Sequence, residues 1–404
     1  MKPMRHADIT VIGGGLSGIT FAHFAAKHGK SVIILEKQPF PGGCVRTYRP
    51  YADSDFFIEL GAHTIYSSYA TILEMIGDLG LKNNVIPHLK PGYLIYEKDR
   101  LVSLFSRLSV TGILAAVFRF PFCKKEGMTV KDYYTKIFGV KNYENLIHPM
   151  TSAEICQDSA YVAADILLKS RKKDKSYPRA FSLPGGLQSI IEKAASAERV
   201  SLRTGVSVLS IEQNGEKFVI NTGDGEYTSG KLALAADAHS SAGLIYSWRN
   251  APDEAKTLAR LLKELPMKKS AAFCVSAPAD KIKIPPFGYI IAKDSPFRAV
   301  VSRDVIKDSD YRGGTFHFKP ETVAADYLGA AYDLLKISSA EQIKTETAEF
   351  TLPELRVSHG EWRRKAETLS NIKNFYLLGN FFGGLSLEDC AIRGKREAER
   401  AAGE

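Results

Sequence analysis

Asp8-Ile-Thr-Val-Ile-Gly-Gly-Gly-Leu-Ser-Gly18 runs from a short apolar stretch into three spaced glycines, and its reading decides the fold. Residues 8–12 read as a buried strand, residues 16–28 as a helix stopped at Gly29, and residues 31–35 as the next buried strand. Gly13 allows a tight strand-to-helix turn, Gly15 removes the side chain that would block a pyrophosphate, and Gly18 lets helix and sheet pack closely. Leu16 and Ser17 open the helix, whose free N–H groups and positive dipole end then face a phosphate. Glu36 ends the second strand, where a carboxylate accepts both ribose hydroxyls and repels a 2′-phosphate, which argues against NADP. This order of strand, glycines, helix, strand and acid predicts an α/β chain built on a Rossmann-type dinucleotide-binding domain.

The next residues bear on which dinucleotide. After Lys37, residues Pro39, Pro41, Gly42 and Gly43 form a loop whose bare backbone must run close to something. Arg46 adds a fixed positive charge and Thr47 a hydroxyl, both suited to a diphosphate. The stretch Glu36-Lys-Gln-Pro-Phe-Pro-Gly-Gly-Cys-Val-Arg-Thr47 resembles the second FAD fingerprint of the flavin amine oxidase superfamily, which includes protoporphyrinogen oxidases, carotenoid desaturases and monoamine oxidases. The resemblance implies FAD as cofactor. Many members carry Arg where this chain has Cys44; protoporphyrinogen oxidases tolerate other residues there, and a small residue beside the cofactor is the simple reading.

A second match lies near residue 380. Residues 375–378 read as a buried strand, Gly379-Asn380 ends it, and Gly383-Gly384-Leu385-Ser386-Leu387 opens a helix reaching about residue 402. In the superfamily the corresponding segment reaches the flavin: Asn380 matches a position beside the ribityl chain, and Leu385, Ser386 and Leu387 match backbone contacts to the pyrimidine edge. Backbone N–H groups and a helix dipole there suit the negative charge of reduced flavin. Gly-Asn-Phe-Phe-Gly-Gly-Leu-Ser-Leu-Glu-Asp-Cys390 looks most like the protoporphyrinogen oxidase version. Gly61-Ala62-His63-Thr64 resembles the loop that approaches the flavin, and Val206 the residue whose backbone meets the adenine.

Element pattern and resemblance together divide the chain. Residues 1–70, 180–250 and 360–404 form the FAD-binding domain; residues 71–179 and 251–359 form an inserted substrate domain of mixed sheet and helices. Residues 71–179 read as helical, and Met128 to Tyr134 with Leu146-Ile-His-Pro149 resembles the stretch that precedes the substrate cavity of protoporphyrinogen oxidases. Strands are expected over 271–275, 289–292, 299–302 and 315–318, and a helix over 321–335.

Composition bounds the rest. With 404 residues and 45% hydrophobic content the chain can bury two domain-sized cores. Five scattered cysteines, without CxxC or Cys/His ligand spacing, predict no metal site and reduced thiols in a cytoplasmic setting. No apolar segment precedes the first strand, so no secretory signal is expected. The net charge of +9 is carried by Lys and Arg spread along the chain, and the densest cluster, residues 171–175, reads as a solvated loop. A nucleic-acid partner is rejected, while a small anionic substrate or an acidic membrane surface fits the excess. Residues 101–122 are apolar but broken by Arg107 and Arg119, too short an uncharged window for a span of about 20 residues. They read as a substrate-domain helix with one buried face, with peripheral membrane association as the alternative. Nothing in the sequence sets the oligomeric state.

The resemblance implies hydride transfer from a substrate C–H to flavin N5. His63 is the candidate proton acceptor. Lys268 and Lys269 read as surface charges where a strand begins, and Ala272 takes the place of the flavin-proximal lysine of amine oxidases. Tyr93 replaces an Arg that holds a propionate in several protoporphyrinogen oxidases. The alternatives are an amine oxidase or desaturase, a flavin-dependent nucleotide-sugar mutase, and a non-catalytic relative of the Rab escort type; intact residues 385–387 argue against the last.

Overall fold

A computed structural model describes residues 5–339 and 341–404. The opening motif folds as read: strand His6–Ile12, helix Leu16–Lys27 and strand Val32–Leu35, with Gly29 in the left-handed region just past the helix. Three parallel pairings set Val200–Arg203 beside Val32–Leu35, that strand beside His6–Ile12, and His6–Ile12 beside Gly225–Leu234. Lys217–Thr222 and Val208–Asn214 continue the sheet antiparallel, and Phe375–Leu377 pairs parallel with Gly225–Leu234.

Both faces of this sheet are covered, which is why its central strands are continuous apolar runs rather than alternating ones. Ile34 packs with Phe21 and Phe24 of the first helix on one face, while Ile33 and Leu35 pack with Leu258 and Leu262 on the other. Two helices belong to this core although the sequence boundaries put them in the second domain. Ala70–Asp78 contributes Ile72, Met75 and Ile76 to the first face, and Asp253–Lys263 contributes Leu258 and Leu262 to the second. Amphipathic periodicity shows that a helix covers something; it does not show which sheet.

The second sheet has seven strands, in the order Lys344–Pro353, Met267–Pro278, Tyr311–Phe318, Phe297–Ser302, Phe287–Ala292, Gly92–Glu97 and Arg100–Ser103. The last two correct the helical reading of residues 71–179. They form a hairpin whose turn residues, Lys98 and Asp99, take φ of 51° and 57° without the Asn-Gly signature that announces such a turn. The expected helix over 321–335 begins only at Tyr327, after a 3₁₀ turn. Residues 101–122 are likewise no single helix: strand, 3₁₀ turn, the helix Val110–Arg119 and a second 3₁₀ turn succeed one another. A helical lobe around Tyr133, Tyr134, Ile137 and Ile147 flanks the sheet. Among the described residues no helix is long and apolar enough to cross a membrane.

A short two-stranded ladder, Thr47–Tyr48 with Ile58–Glu59, meets the second sheet through a small apolar seam of Phe56, Ile58 and Leu60 against Ala272, Cys274 and Ala348. Thr315 Oγ1 donates to Glu59 O across it at 2.6 Å.

Candidate functional site

Three loops stack on one another beside the first strand and helix. Gly42 N donates to Gly14 O at 2.9 Å, laying the second glycine loop against the first, and Gly15 and Gly42 form a parallel bridge. Ala62 N donates to Cys44 O at 3.0 Å and Leu60 N to Arg46 O at 2.9 Å, which lays residues 60–64 on the second loop in turn. A side chain at Gly61 would overlap Cys44 O, so contact within this stack requires that glycine.

Gly15 differs. Its φ is an ordinary −73°, and a Cβ there would meet only Gly43 Cα, at 3.9 Å. Neither backbone strain nor protein packing explains the missing side chain; an empty cradle at the N-terminus of the Leu16–Lys27 helix does. Gly18 is needed by the protein itself, because its Cβ would run into Gly13 O and approach Ala235 Cβ at 3.0 Å.

Glu36 is buried at the end of its strand, with Oε2 accepting from Gly14 N at 2.7 Å and Oε1 from Gln38 N at 2.8 Å. Two of its roughly four lone-pair positions are thus committed to the loops, and the others remain for ribose hydroxyls. Val206 N is held by Glu36 O at 2.9 Å, so a contact through Val206 must use its carbonyl. Lys37 is exposed beside them.

Thr47 departs from its expected role. Its hydroxyl donates to Glu59 Oε2 at 2.7 Å and accepts from Gln188 N at 3.2 Å, and its own N–H goes to Gln188 Oε1 at 3.0 Å. The residue ties the second loop to residues 186–188 and has no donor to spare for a diphosphate. Glu59, sealed in that network, is raised to about 7 by burial. Arg46 is also partly committed: Nη2 lies 3.0 Å from Glu346 Oε1 of the second sheet, and the guanidinium sits 4.8 Å from the Phe40 ring.

The helix Leu387–Gly403 packs on the Leu16–Lys27 helix, so closely that a side chain at Gly394 would overlap Ser17 O, and it is capped by Ser386, whose hydroxyl accepts from Asp389 N. Gly379, Asn380 and Leu385 precede it, Gly379 with φ of 143°. Buried Glu388 reaches back to accept from Thr71 N at 2.9 Å and Ile72 N at 3.2 Å, closing the N-terminus of the Ala70–Asp78 helix. Lys169 and Arg171 both donate to Asp389 Oδ1, at 2.7 and 2.8 Å, and Lys169 also donates to Gly383 O. This corrects the solvated-loop reading for Arg171, while Lys172, Lys173 and Lys175 are exposed as expected. More than two hundred residues separate the partners, so no local pattern announces the pairing.

Cys44, Cys390, Tyr66 and Tyr289 keep some exposed surface but are closely surrounded by protein. Burial pushes the Cys44 thiol up to about 11 and Cys390 to about 12, so both stay protonated rather than acting as nucleophiles. Tyr66 is raised to about 12 by burial and by nearby Glu154, itself raised by burial. Tyr289, raised further by burial, feels Cys156, Glu154, Tyr66 and Tyr93. Ring centroids lie 5.4 Å apart for Tyr66 and Tyr69, 6.4 Å for Tyr93 and Tyr289, and 6.3 Å for His63 and Tyr289.

His63 therefore faces the second sheet, with Nδ1 3.4 Å from Gly61 O and burial holding the imidazole below its ordinary value. Sequence reasoning missed its neighbour His317. That residue pairs across the sheet with Ala272 and so shares its face; burial holds it down to about 3, with His63 adding to the effect. Its Nδ1 has no hydrogen-bond partner among the described residues. Lys268 and Lys269 are exposed on the same strand as Ala272, as read.

These residues fit FAD: a bare cradle at a helix N-terminus, a carboxylate at the end of the second strand, and a second helix packed beside the first. Residues 11–79 match the model of the NAD(P)-binding Rossmann-like domain. Across 98% of both chains, the fold superposes with a TM-score of 0.78 and 17% identity on a structure assigned as a protoporphyrinogen oxidase from Exiguobacterium sp. 255-15. Cyclohexylamine oxidase from Brevibacterium oxydans IH-35A gives 0.71 at 15% identity, over 98% of this chain and 99% of that one. In sequence, a 15-cis-phytoene desaturase of an Oncidium hybrid cultivar is 26% identical over 118 residues, which are 29% of this chain and 20% of the desaturase. The chain thus matches about a fifth of the length of such curated relatives. It carries a Rossmann-like domain of the FAD type within the fold shared by protoporphyrinogen oxidase-like and amine oxidase-like flavoproteins.

Proposed function

We propose that this chain is an FAD-dependent oxidoreductase of the protoporphyrinogen oxidase and amine oxidase type, acting on a small molecule held between the two sheets. The observation that carries the reading is the bare cradle at Gly15, supported by His63 and Tyr93 beside Tyr289 of the second sheet and by buried His317 near His63. When bound, FAD supplies at N5 a two-electron acceptor for hydride leaving a substrate C–H. The chain's own work is binding, orientation and exclusion of water. Tyr66, Tyr69, Tyr93 and Tyr289 offer flat apolar walls that fix a substrate. His63, neutral near pH 7 because burial disfavours its charged form, is able to take the proton released with the hydride.

A second reading, an amine substrate, is favoured by one feature: Glu154 stands among those tyrosines, and a carboxylate with aromatic faces attracts a cationic group. The purified protein, once its flavin spectrum is recorded, is mixed anaerobically with porphyrinogens, primary amines and a UDP-sugar. Bleaching of the oxidised band by a porphyrinogen supports the first substrate class, and bleaching by an amine supports the second. A flavin that no donor reduces, in protein that rearranges the UDP-sugar, overturns the redox reading.

A further inference from the structure

The helix Val110–Arg119 is built inside out. It is fixed to the helical lobe by its small and polar residues: Ala116 is buried, a side chain at Gly112 would overlap Asn142 and Phe138, and buried Asn142 binds Ser109 through Oδ1 at 2.7 Å and Nδ2 at 3.2 Å. The large apolar residues face away. Leu114, Val117 and Phe118, at positions i, i+3 and i+4, share one outer face, and the following 3₁₀ turn adds Phe120 and Phe122. Phe118 and Phe122 are 77% and 86% exposed. Five large apolar side chains within nine residues form a patch that a soluble surface does not ordinarily present.

Positive charge predominates in the segments next to the patch. Residues 107–141 hold seven Lys and Arg against two Asp and Glu. Arg119 and Lys124 flank the phenylalanines and are exposed, and Lys131, Lys136 and Lys141 are exposed on the adjoining helix Val130–Asn142. Glu97 answers Arg107 at 2.7 Å, but no salt bridge is found for Arg119 or Lys124 among the described residues.

We propose that this patch is a docking surface for an anionic lipid bilayer. Phe118, Phe120 and Phe122 enter the boundary between headgroups and acyl chains, and the surrounding lysines and arginines face the anionic headgroups. Apolar anchors within a basic surround match that interface on both counts. A second copy of the chain would bring the same surplus of positive charge against itself.

The test floats the purified flavoprotein on vesicles of phosphatidylcholine alone, and of phosphatidylcholine with an equal part of phosphatidylglycerol. The protein is expected to float with the anionic vesicles and to be released by high salt. Phe118→Ser with Phe122→Ser should lower that binding by roughly tenfold or more, because two exposed rings lose their transfer into the interface. Arg119→Glu with Lys124→Glu should abolish the preference for phosphatidylglycerol. All four positions are exposed, so flavin content and circular dichroism should match the parent protein. Failure to bind either vesicle overturns the proposal, as does binding that the serine variant leaves unchanged. A parent dimer that the serine variant converts to monomer also overturns it, because a second copy then covers the face.

Discussion

Replacing Gly15 by Val should remove FAD while leaving the fold. The added Cβ has nothing nearer than Gly43 Cα at 3.9 Å, and φ of −73° with ψ of 174° is extended backbone that Val adopts readily. Losing a glycine N-cap costs a few tenths to about 1 kcal/mol, and the stiffer unfolded chain returns about 0.4–1 kcal/mol, so the apoprotein should change by less than about 1 kcal/mol. In the holoprotein the two methyl groups fill the pyrophosphate cradle, and a displaced diphosphate loses several charge-assisted N–H bonds of about 1.5–3 kcal/mol each. FAD affinity should therefore fall by more than about a hundredfold. Gly18→Val is the control, because its Cβ runs into Gly13 O, and the apoprotein should be strongly destabilised or fail to fold. The assay pairs urea unfolding of the two apoproteins with titration of FAD followed by flavin fluorescence. A Gly15→Val protein that purifies yellow and stoichiometric, or an apoprotein as unstable as the Gly18 variant, would refute the reasoning.

Glu36→Ala should weaken FAD by roughly 1–3 kcal/mol, through lost ribose hydrogen bonds and through freed Gly14 and Gln38 N–H groups; the same titration measures it. His317 and His359 are held by burial to about 3 and about 4, so the unfolded chain takes up their protons first as pH falls. Each should remove stability from about pH 6.5 downward, at up to about 1.4 kcal/mol per pH unit, and His317→Gln should flatten that part of the urea midpoint against pH profile. Removing Lys169 and Arg171 together strips Asp389 of both its cations at the start of the Leu387–Gly403 helix. On the proposed placement of the flavin's pyrimidine edge at Leu385–Leu387, the reduced form should lose stabilisation and the midpoint potential should fall by roughly 20–60 mV, read by xanthine oxidase-coupled photometric titration.

The nucleotide-binding half was legible because its constraints are local. Gly13, Gly15, Gly18 and Glu36 lie within two dozen residues, and each answers to a turn, a contact or a strand end that a short window displays. Thr47 shows the limit of that reading: its hydroxyl suits a phosphate in isolation, but Glu59 and Gln188 claim it. His317 was invisible for another reason. Nothing in its strand, which also holds Arg312 and Thr315, singles it out, and only the register that pairs it with Ala272 brings it to the face that His63 approaches. The Gly92–Ser103 hairpin escaped because Lys98 and Asp99 adopt positive φ without glycine, and the boundary helices escaped because amphipathicity does not name its partner.

Glu388 closes the Ala70–Asp78 helix across 317 and 316 residues of chain, and Phe375–Leu377 completes the sheet beside Gly225–Leu234. A ribosome therefore releases the glycine loops long before the parts that finish their surroundings. Through most of synthesis the first βαβ unit exists without the sheet strand Phe375–Leu377, the acid that caps its neighbouring helix, or the helix that packs on its own. Cofactor loading is therefore expected late in the life of the chain, after the nascent nucleotide-binding half has stood exposed with its sheet incomplete.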